Sequence, residues 1–97
     1  MISGQENWRS NLMWTLDMII EILEENTQRA TYGAVAGVVG GHPRNVMSHL
    51  PRTPRNSWVV AKANGRPSGY LPHEMHPQLF STSYVITDGD ELWSWLG

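Results

Sequence analysis

The 97-residue chain contains no cysteine. A cysteine-free chain has no disulfide, no thiolate nucleophile and no cysteine-ligated zinc, and it is compatible with a reducing compartment. Long apolar runs are missing as well, because Asp17 and Glu21 interrupt the apolar stretch from Leu12 to Leu23. Since the N-terminal region is also not basic, neither a signal peptide nor a membrane span is expected. The sequence favours a cytoplasmic protein without membrane contact.

Acidic residues are absent from the middle of the chain. All nine Asp and Glu residues lie before residue 26 or after residue 73, whereas six of the seven Lys and Arg residues lie between these points. The middle segment, with six basic and no acidic residues, therefore has a formal charge of +6 in a chain of net charge -2. A cationic segment in a nearly neutral protein can attract a polyanion. This distribution favours a nucleic acid as the partner.

The hydrophobic content of 40% is sufficient for one small folded domain, which we place over residues 1–97. Between Trp8 and Glu25, apolar residues recur at spacings of three and four. This periodicity predicts an amphipathic helix with one buried face.

The next segment has the start and stop signals of two short helices. Thr31 can cap a helix over TYGAVAGVV that the Gly40-Gly41 pair ends, and a third helix can start at His42-Pro43 and must stop before Pro51. Two short helices joined by a glycine turn have the outline of a helix-turn-helix, although an ordinary helical pair in a core has the same pattern.

The second half of the chain predicts a hairpin and a last helix. SWVVAKA has the composition of a strand, and the Asn64-Gly65 pair after it is a strong hairpin signal. A short strand is expected over residues 84–86, and Asp88 and Glu91 have the spacing of a capping box that opens the last helix. The predicted fold is α+β, mainly α: a winged helix-turn-helix with a small β-hairpin wing.

The segments TYGAVAGVVGGHPRNVMSHL and SWVVAKANGRPS resemble the DNA-binding domain of alkylguanine-DNA alkyltransferases and, more closely in size, the alkyltransferase-like proteins. The resemblance covers roughly residues 8–71. Residues 31–33 match the family's Thr-Tyr-Gly, and residues 44–46 stand at its Arg-Ala-Val. Counting back from Gly65 without gaps puts residues 56–60 on the family's Pro-Cys-His-Arg-Val.

The resemblance implies a mode of binding and excludes a reaction. It implies that the protein binds the minor groove and rotates a nucleotide into a pocket, while Arg44 fills the vacated space and Tyr32 crowds the target phosphate. Ser57 stands at the position of the reactive cysteine and Trp58 at that of its histidine. Alkyl transfer requires the thiolate, so the expected protein is a non-enzymatic binder without a cofactor.

Two sets of site residues follow from this prediction. The expected DNA contacts are Thr31, Tyr32, Arg44, Asn45, Ser48, Arg52, Arg55, Lys62, Asn64 and Arg66. The expected base pocket consists of Tyr32, Ser57, Trp58 and Val59. Because strand residues alternate between faces, Trp58 would point to the core if Ser57 faced the pocket. Double-stranded DNA is the expected partner, with repair or regulatory proteins as further partners.

A protein-interaction or regulatory module on the same scaffold is the alternative, because the chain has more tryptophan than so small a core needs. The tryptophans concerned are Trp14, Trp93 and Trp95. His73, Glu74 and His76 match the spacing of no common metal site, so no metal is expected. The preferred lesion or sequence, the choice between DNA and RNA, and the oligomeric state are left open by the sequence.

Overall fold

In the computed structural model, which describes residues 14–97, the chain combines three α-helices with a three-stranded parallel sheet. The expected α+β class is confirmed in this form. The main elements are α1 (Leu16–Glu25), β1 (Arg29–Thr31), α2 (Tyr32–Val39), β2 (Val59–Val60), β3 (Val85–Ile86) and α3 (Gly89–Leu96). Two short 3-10 helices, Arg55–Trp58 and Pro72–Glu74, precede β2 and β3.

Each α-helix begins after a residue whose side chain caps it. Thr15 caps α1, Thr31 caps α2 and Asp88 caps α3, in each case by accepting an N–H of the first turn. The helices predicted after Thr31 and Asp88 are thus confirmed. For the first predicted helix, α1 confirms the part from Leu16 onward, and residues 8–13 lie outside the described residues.

The sheet has the order β2-β1-β3, with β1 parallel to both neighbours. Ala30 at its centre lies opposite Val59 on one side and Ile86 on the other. Parallel strands need long crossover connections. The chain from residue 32 to residue 58 supplies the first of these, and it carries α2 and most of the predicted site. The short strand expected near Tyr84 is confirmed as β3.

The predicted antiparallel hairpin is wrong. β2 pairs with β1, and within residues 14–97 no return strand follows the turn at Gly65. The chain does reverse there, since the Ala61 N–H donates to the Arg66 carbonyl at 2.9 Å and the Gly65 N–H to the Ala61 carbonyl at 2.8 Å. Pro67 follows immediately and lacks the N–H that a return strand would contribute. The result is a tight loop, which we call the 61–66 turn.

The third predicted helix is also wrong, because residues 43–49 form a series of turns. A side chain there occupies a backbone group that a helix would use: Ser48 Oγ donates to the Asn45 carbonyl at 2.9 Å. Such local bonds compete with helix formation. A segment this short also gains little from helical cooperativity.

One buried cluster connects the three α-helices to the sheet. Its members are Ile19, Ile20, Leu23, Ala30, Ala34, Val35, Trp58, Val59, Leu79, Ile86 and Leu92. Helices α2 and α3 approach closely where Gly37 meets Gly89, since a Cβ on Gly37 would lie 3.1 Å from the Gly89 Cα. No helix within residues 14–97 has both the length and the apolar character to cross a membrane.

Candidate nucleic-acid interface

A cavity of about 650 Å³ opens beside the first residue of α2. It brings together the start of α2, residues 43–52, the start of β2 and the segment of Ser68 and Tyr70, which are far apart in the sequence. The lining residues are Tyr32, Pro43, Arg44, Met47, Ser48, Leu50, Pro51, Arg52, Asn56, Val59, Ser68 and Tyr70. No acidic side chain is among these described residues. The cavity is therefore suited to a negatively charged ligand.

Tyr32 joins two walls of this cavity. Its hydroxyl oxygen accepts the Ser68 N–H at 2.7 Å, which ties the loop after the 61–66 turn to the start of α2. A phenol can accept and donate at the same time. Within residues 14–97 no recorded hydrogen bond uses the Tyr32 proton, so the hydroxyl can donate to a bound oxygen.

Tyr70 forms the neighbouring part of the wall and is half-buried. Burial raises the pKa of Tyr70 above its ordinary value of 10.0, and a backbone hydrogen bond with Thr53 acts in the opposite direction. The phenol is therefore neutral at physiological pH. Two tyrosines thus give the cavity polar tips on largely apolar rings.

Arg44 and Arg52 supply the positive charge of the cavity, and both are exposed. The Arg52 guanidinium lies against Gly69, where an added Cβ would be 3.1 Å from Nη2. Within residues 14–97 the contacts between a basic side chain and a carboxylate are Arg55 with Asp17 at 2.8 Å and His76 with Glu24 at 3.7 Å. Neither cavity arginine is neutralised by them, so both are available to an anionic ligand.

Comparisons with known proteins find no match. No family model, no curated protein and no solved structure matches the chain. Function therefore has to be inferred from the side chains that the fold brings together.

Asn56 is a cavity residue that the sequence reasoning missed. Its side chain is only 6% exposed, and its Nδ2 donates to the Pro51 carbonyl at 2.9 Å. Its backbone N–H donates to the carbonyl and the hydroxyl of Thr53 at 3.0 and 3.2 Å. The sequence signal for Asn56 is its place at the first of the five aligned family positions, directly before Ser57, the residue expected in the pocket. Tyr70 was missed because it lies beyond the matched motifs.

Of the expected base pocket, the cavity contains Tyr32 and Val59 but neither Ser57 nor Trp58. Ser57 is fully buried, and its hydroxyl donates to the Pro54 carbonyl at 2.6 Å and accepts the His76 N–H at 3.0 Å. Trp58 is fully buried in the core cluster, with its ring centre 4.9 Å from that of His76. The alternation expected of a strand does not account for this burial, because Ser57 is buried as well. A 3-10 helix over these residues replaces the predicted strand and turns Asn56 to the cavity instead.

The expected DNA contacts fall into three groups. Tyr32, Arg44, Ser48 and Arg52 line the cavity. Lys62, Asn64 and Arg66 are exposed on the 61–66 turn, outside the cavity lining. Asn45 is exposed next to the cavity, whereas Thr31 is buried as a helix cap and the Arg55 guanidinium is held by the Asp17 carboxylate at 2.8 Å. Four cations are thus exposed without a carboxylate partner among residues 14–97; we call Arg44, Arg52, Lys62 and Arg66 the exposed cations.

The His73, Glu74 and His76 segment has a structural role. Glu74 Oε1 accepts the Leu71 N–H at 2.7 Å, and His76 Nδ1 accepts the Gln78 N–H at 3.0 Å. In the part of the chain that the structure describes, no group of three potential ligands is arranged to hold a metal ion.

Proposed function

We propose that the protein is a non-enzymatic DNA-binding protein similar to the alkyltransferase-like proteins, and that duplex DNA contacts its cavity. The observation that carries the proposal is the meeting of Tyr32, Arg44 and Arg52 in one cavity whose described lining is free of acidic side chains. Arginine and tyrosine are frequent donors to DNA phosphates, and such contacts provide much of the binding affinity.

The size of the cavity supports a role for a base as well as for phosphates. Its volume of about 650 Å³ lies in the range of sites for small organic ligands. Removing a base from the stack costs a few kcal/mol, which contacts in a pocket must offset. The rings of Tyr32 and Tyr70 offer apolar surface, and Asn56 adds a buried amide at the wall. A rotated base is therefore the proposed occupant.

We also propose a scaffold and a compartment for this activity. In this proposal the 43–49 turns take the place of a recognition helix after α2, and the 61–66 turn takes the place of a wing. The buried hydroxyl of Ser57, which already makes two hydrogen bonds, supports a binding role without nucleophilic chemistry. The cysteine-free composition is compatible with action in the cytoplasm.

A duplex-binding titration at low and moderate salt tests the proposal. Binding is expected to weaken as salt rises, because each phosphate contact releases counterions. Arg44→Ala is expected to weaken binding about tenfold, the effect of losing one charged hydrogen bond. Arg55→Ala is the matched control, since it removes the same charge from a side chain that pairs with Asp17 outside the cavity lining. Arg9→Ala, at a position outside the described residues, is a second charge-matched control.

Equal and negligible effects of Arg44→Ala and the two controls would contradict the cavity as the DNA site. The same titration with a duplex that carries one alkylguanine tests the base pocket. Tighter binding of the modified duplex is expected, and equal binding would reduce the proposal to a general DNA-binding protein. Failure to bind either duplex would favour the alternative of a protein-interaction or regulatory module.

A further inference from the structure

Arg29 ties two distant parts of the chain together from the first position of β1. It is only 7% exposed, and its guanidinium donates to the Gly65 carbonyl at 2.9 Å and to the Thr82 carbonyl at 2.8 Å. A third, longer contact of 3.4 Å reaches the Ser83 carbonyl. No recorded ion pair within residues 14–97 involves Arg29. The buried cation thus holds the 61–66 turn against the segment that leads into β3.

The hydrogen bonds of Arg29 leave one of its buried donors, the Nε–H, without an acceptor among the described residues. A buried donor without an acceptor is unfavourable, and its presence in a folded protein calls for an explanation. The bonds that Arg29 does make position the 61–66 turn, because the two Nη groups of its planar guanidinium reach Gly65 and Thr82 at once.

Phe80 continues this arrangement to the surface. Its side chain is 49% exposed, so it contributes less to the core than a buried phenylalanine does. The Arg29 guanidinium carbon lies 5.0 Å from the centre of the Phe80 ring, and that of Arg66 lies 5.1 Å from it. Both distances are those of cation–π contacts. The exposed ring therefore connects the buried arginine to an exposed one.

Arg66 is fixed by its backbone as well as by this ring. Its N–H donates to Asn64 Oδ1 at 3.0 Å, and its carbonyl accepts the Ala61 N–H at 2.9 Å. A long side chain loses rotamer freedom when it binds a partner, and holding it beforehand reduces that loss. While the Arg66 guanidinium stays against the Phe80 ring, its N–H groups can donate hydrogen bonds to an anion.

We propose that Phe80 and Arg29 are positioning residues that hold Arg66 as a phosphate contact outside the cavity. The inference rests on the proposed DNA binding and adds a second point of contact to it. The same short segment joins the two points, since Ser68 and Tyr70 line the cavity and residues 61–66 form the turn. A duplex bound at the cavity is then also held through Arg66.

A double-mutant cycle with plain duplex DNA tests this inference. In the wild-type background, Phe80→Ala is expected to weaken binding about two- to fivefold, the size of an exposed cation–π contact. In the Arg66→Ala background, the same substitution is expected to have no effect. Phe80→Tyr retains the ring and should bind like the wild type, whereas Phe80→Leu retains apolar volume without the ring and should bind like Phe80→Ala. Thermal melts of each variant establish that it is folded.

Arg29→Lys provides an independent arm, because it keeps the charge but loses the fork that reaches both segments. In the wild-type background, Arg29→Lys is expected to weaken DNA binding. In the Arg66→Ala background, it is expected to cause no further loss of affinity. If Arg29→Lys does not fold, the cycle at the half-exposed Phe80 decides alone.

The outcomes separate this inference from the proposed function. Equal weakening by Phe80→Ala in both backgrounds would mean that the ring contacts DNA itself and would overturn the positioning role. A different result is that Phe80→Ala leaves affinity unchanged in both backgrounds, while the wild type binds duplex DNA and Arg44→Ala weakens that binding. This result would overturn only this inference. Absence of salt-dependent binding by the wild type would overturn the proposed function first.

Discussion

The residues of β1 are buried, whereas the exposed cations lie on turns and loops and have no carboxylate partners among residues 14–97. The core depends on apolar area removed from water. The turns are held instead by hydrogen bonds that involve side chains: the Ser68 N–H donates to the Tyr32 hydroxyl, and the Arg29 guanidinium donates to the Gly65 carbonyl. Under the proposed function, stability and recognition depend largely on different residues. This separation can be tested by substitutions that alter one without the other.

Ile20→Ala should have the largest effect on the core side of this comparison. Ile20 is fully buried in α1, and truncating a buried isoleucine to alanine costs about 2–5 kcal/mol through lost burial and a residual cavity. We expect a loss of this size in the free energy of unfolding, measured by urea denaturation. Duplex affinity, corrected for the folded fraction, should remain that of the wild type.

Met18→Ala is the matched control for that measurement. Met18 lies on the same helix but is 43% exposed, so its truncation should change the free energy of unfolding by no more than about 0.5 kcal/mol. Equal destabilisation by the two variants would contradict the buried face assigned to α1. A loss of intrinsic DNA affinity in Ile20→Ala would contradict the separation of core and turns.

The close approach of α2 and α3 allows a smaller and more specific test with two glycines of one helix. An alanine Cβ at Gly37 would lie 3.1 Å from the Gly89 Cα, whereas at Gly33 it would meet nothing closer than Thr31 Oγ1 at 4.0 Å. We expect Gly37→Ala to lower the free energy of unfolding by about 1–3 kcal/mol, the effect of overpacking. Gly33→Ala should raise it by up to about 1 kcal/mol, because alanine favours the helix. Chemical denaturation of both variants measures the difference, and the same sign for both would contradict the contact.

Elements with a local signal were predictable from the sequence. Thr31 and Asp88 are capping residues, and the helices after them start where these residues predicted. The apolar periodicity likewise predicted the buried face of α1. In each case the decisive interaction spans three or four residues, so a short window of sequence contains all of it.

Elements that depend on distant partners were not predictable in the same way. Asn64-Gly65 signals a chain reversal, which does occur, but the strand before it pairs with β1, whose Ala30 lies opposite Val59. Nothing near the turn indicates that partner. The cavity has the same origin: Tyr32 and Arg44 were identified by motif, but Tyr70 comes from a segment that the Ser68 hydrogen bond to Tyr32 brings into place.

The smallest expected effect on stability concerns Tyr70, which lies partly buried in the cavity wall. Burial raises the pKa of Tyr70, so the folded protein holds this proton more tightly than the unfolded chain does. The resulting contribution to stability is complete below the unfolded pKa of about 10 and is lost as the pH rises through the higher folded value. Urea denaturation between about pH 8 and 11 should therefore show falling stability in the wild type and a flatter profile in Tyr70→Phe. Tyr84→Phe is the comparison: its pKa is also raised, by a hydrogen bond to Glu91, but its exposure to solvent reduces the consequence for stability. If Tyr84→Phe flattened the pH dependence of the free energy of unfolding more than Tyr70→Phe did, the burial assigned to Tyr70 in the cavity wall would be contradicted.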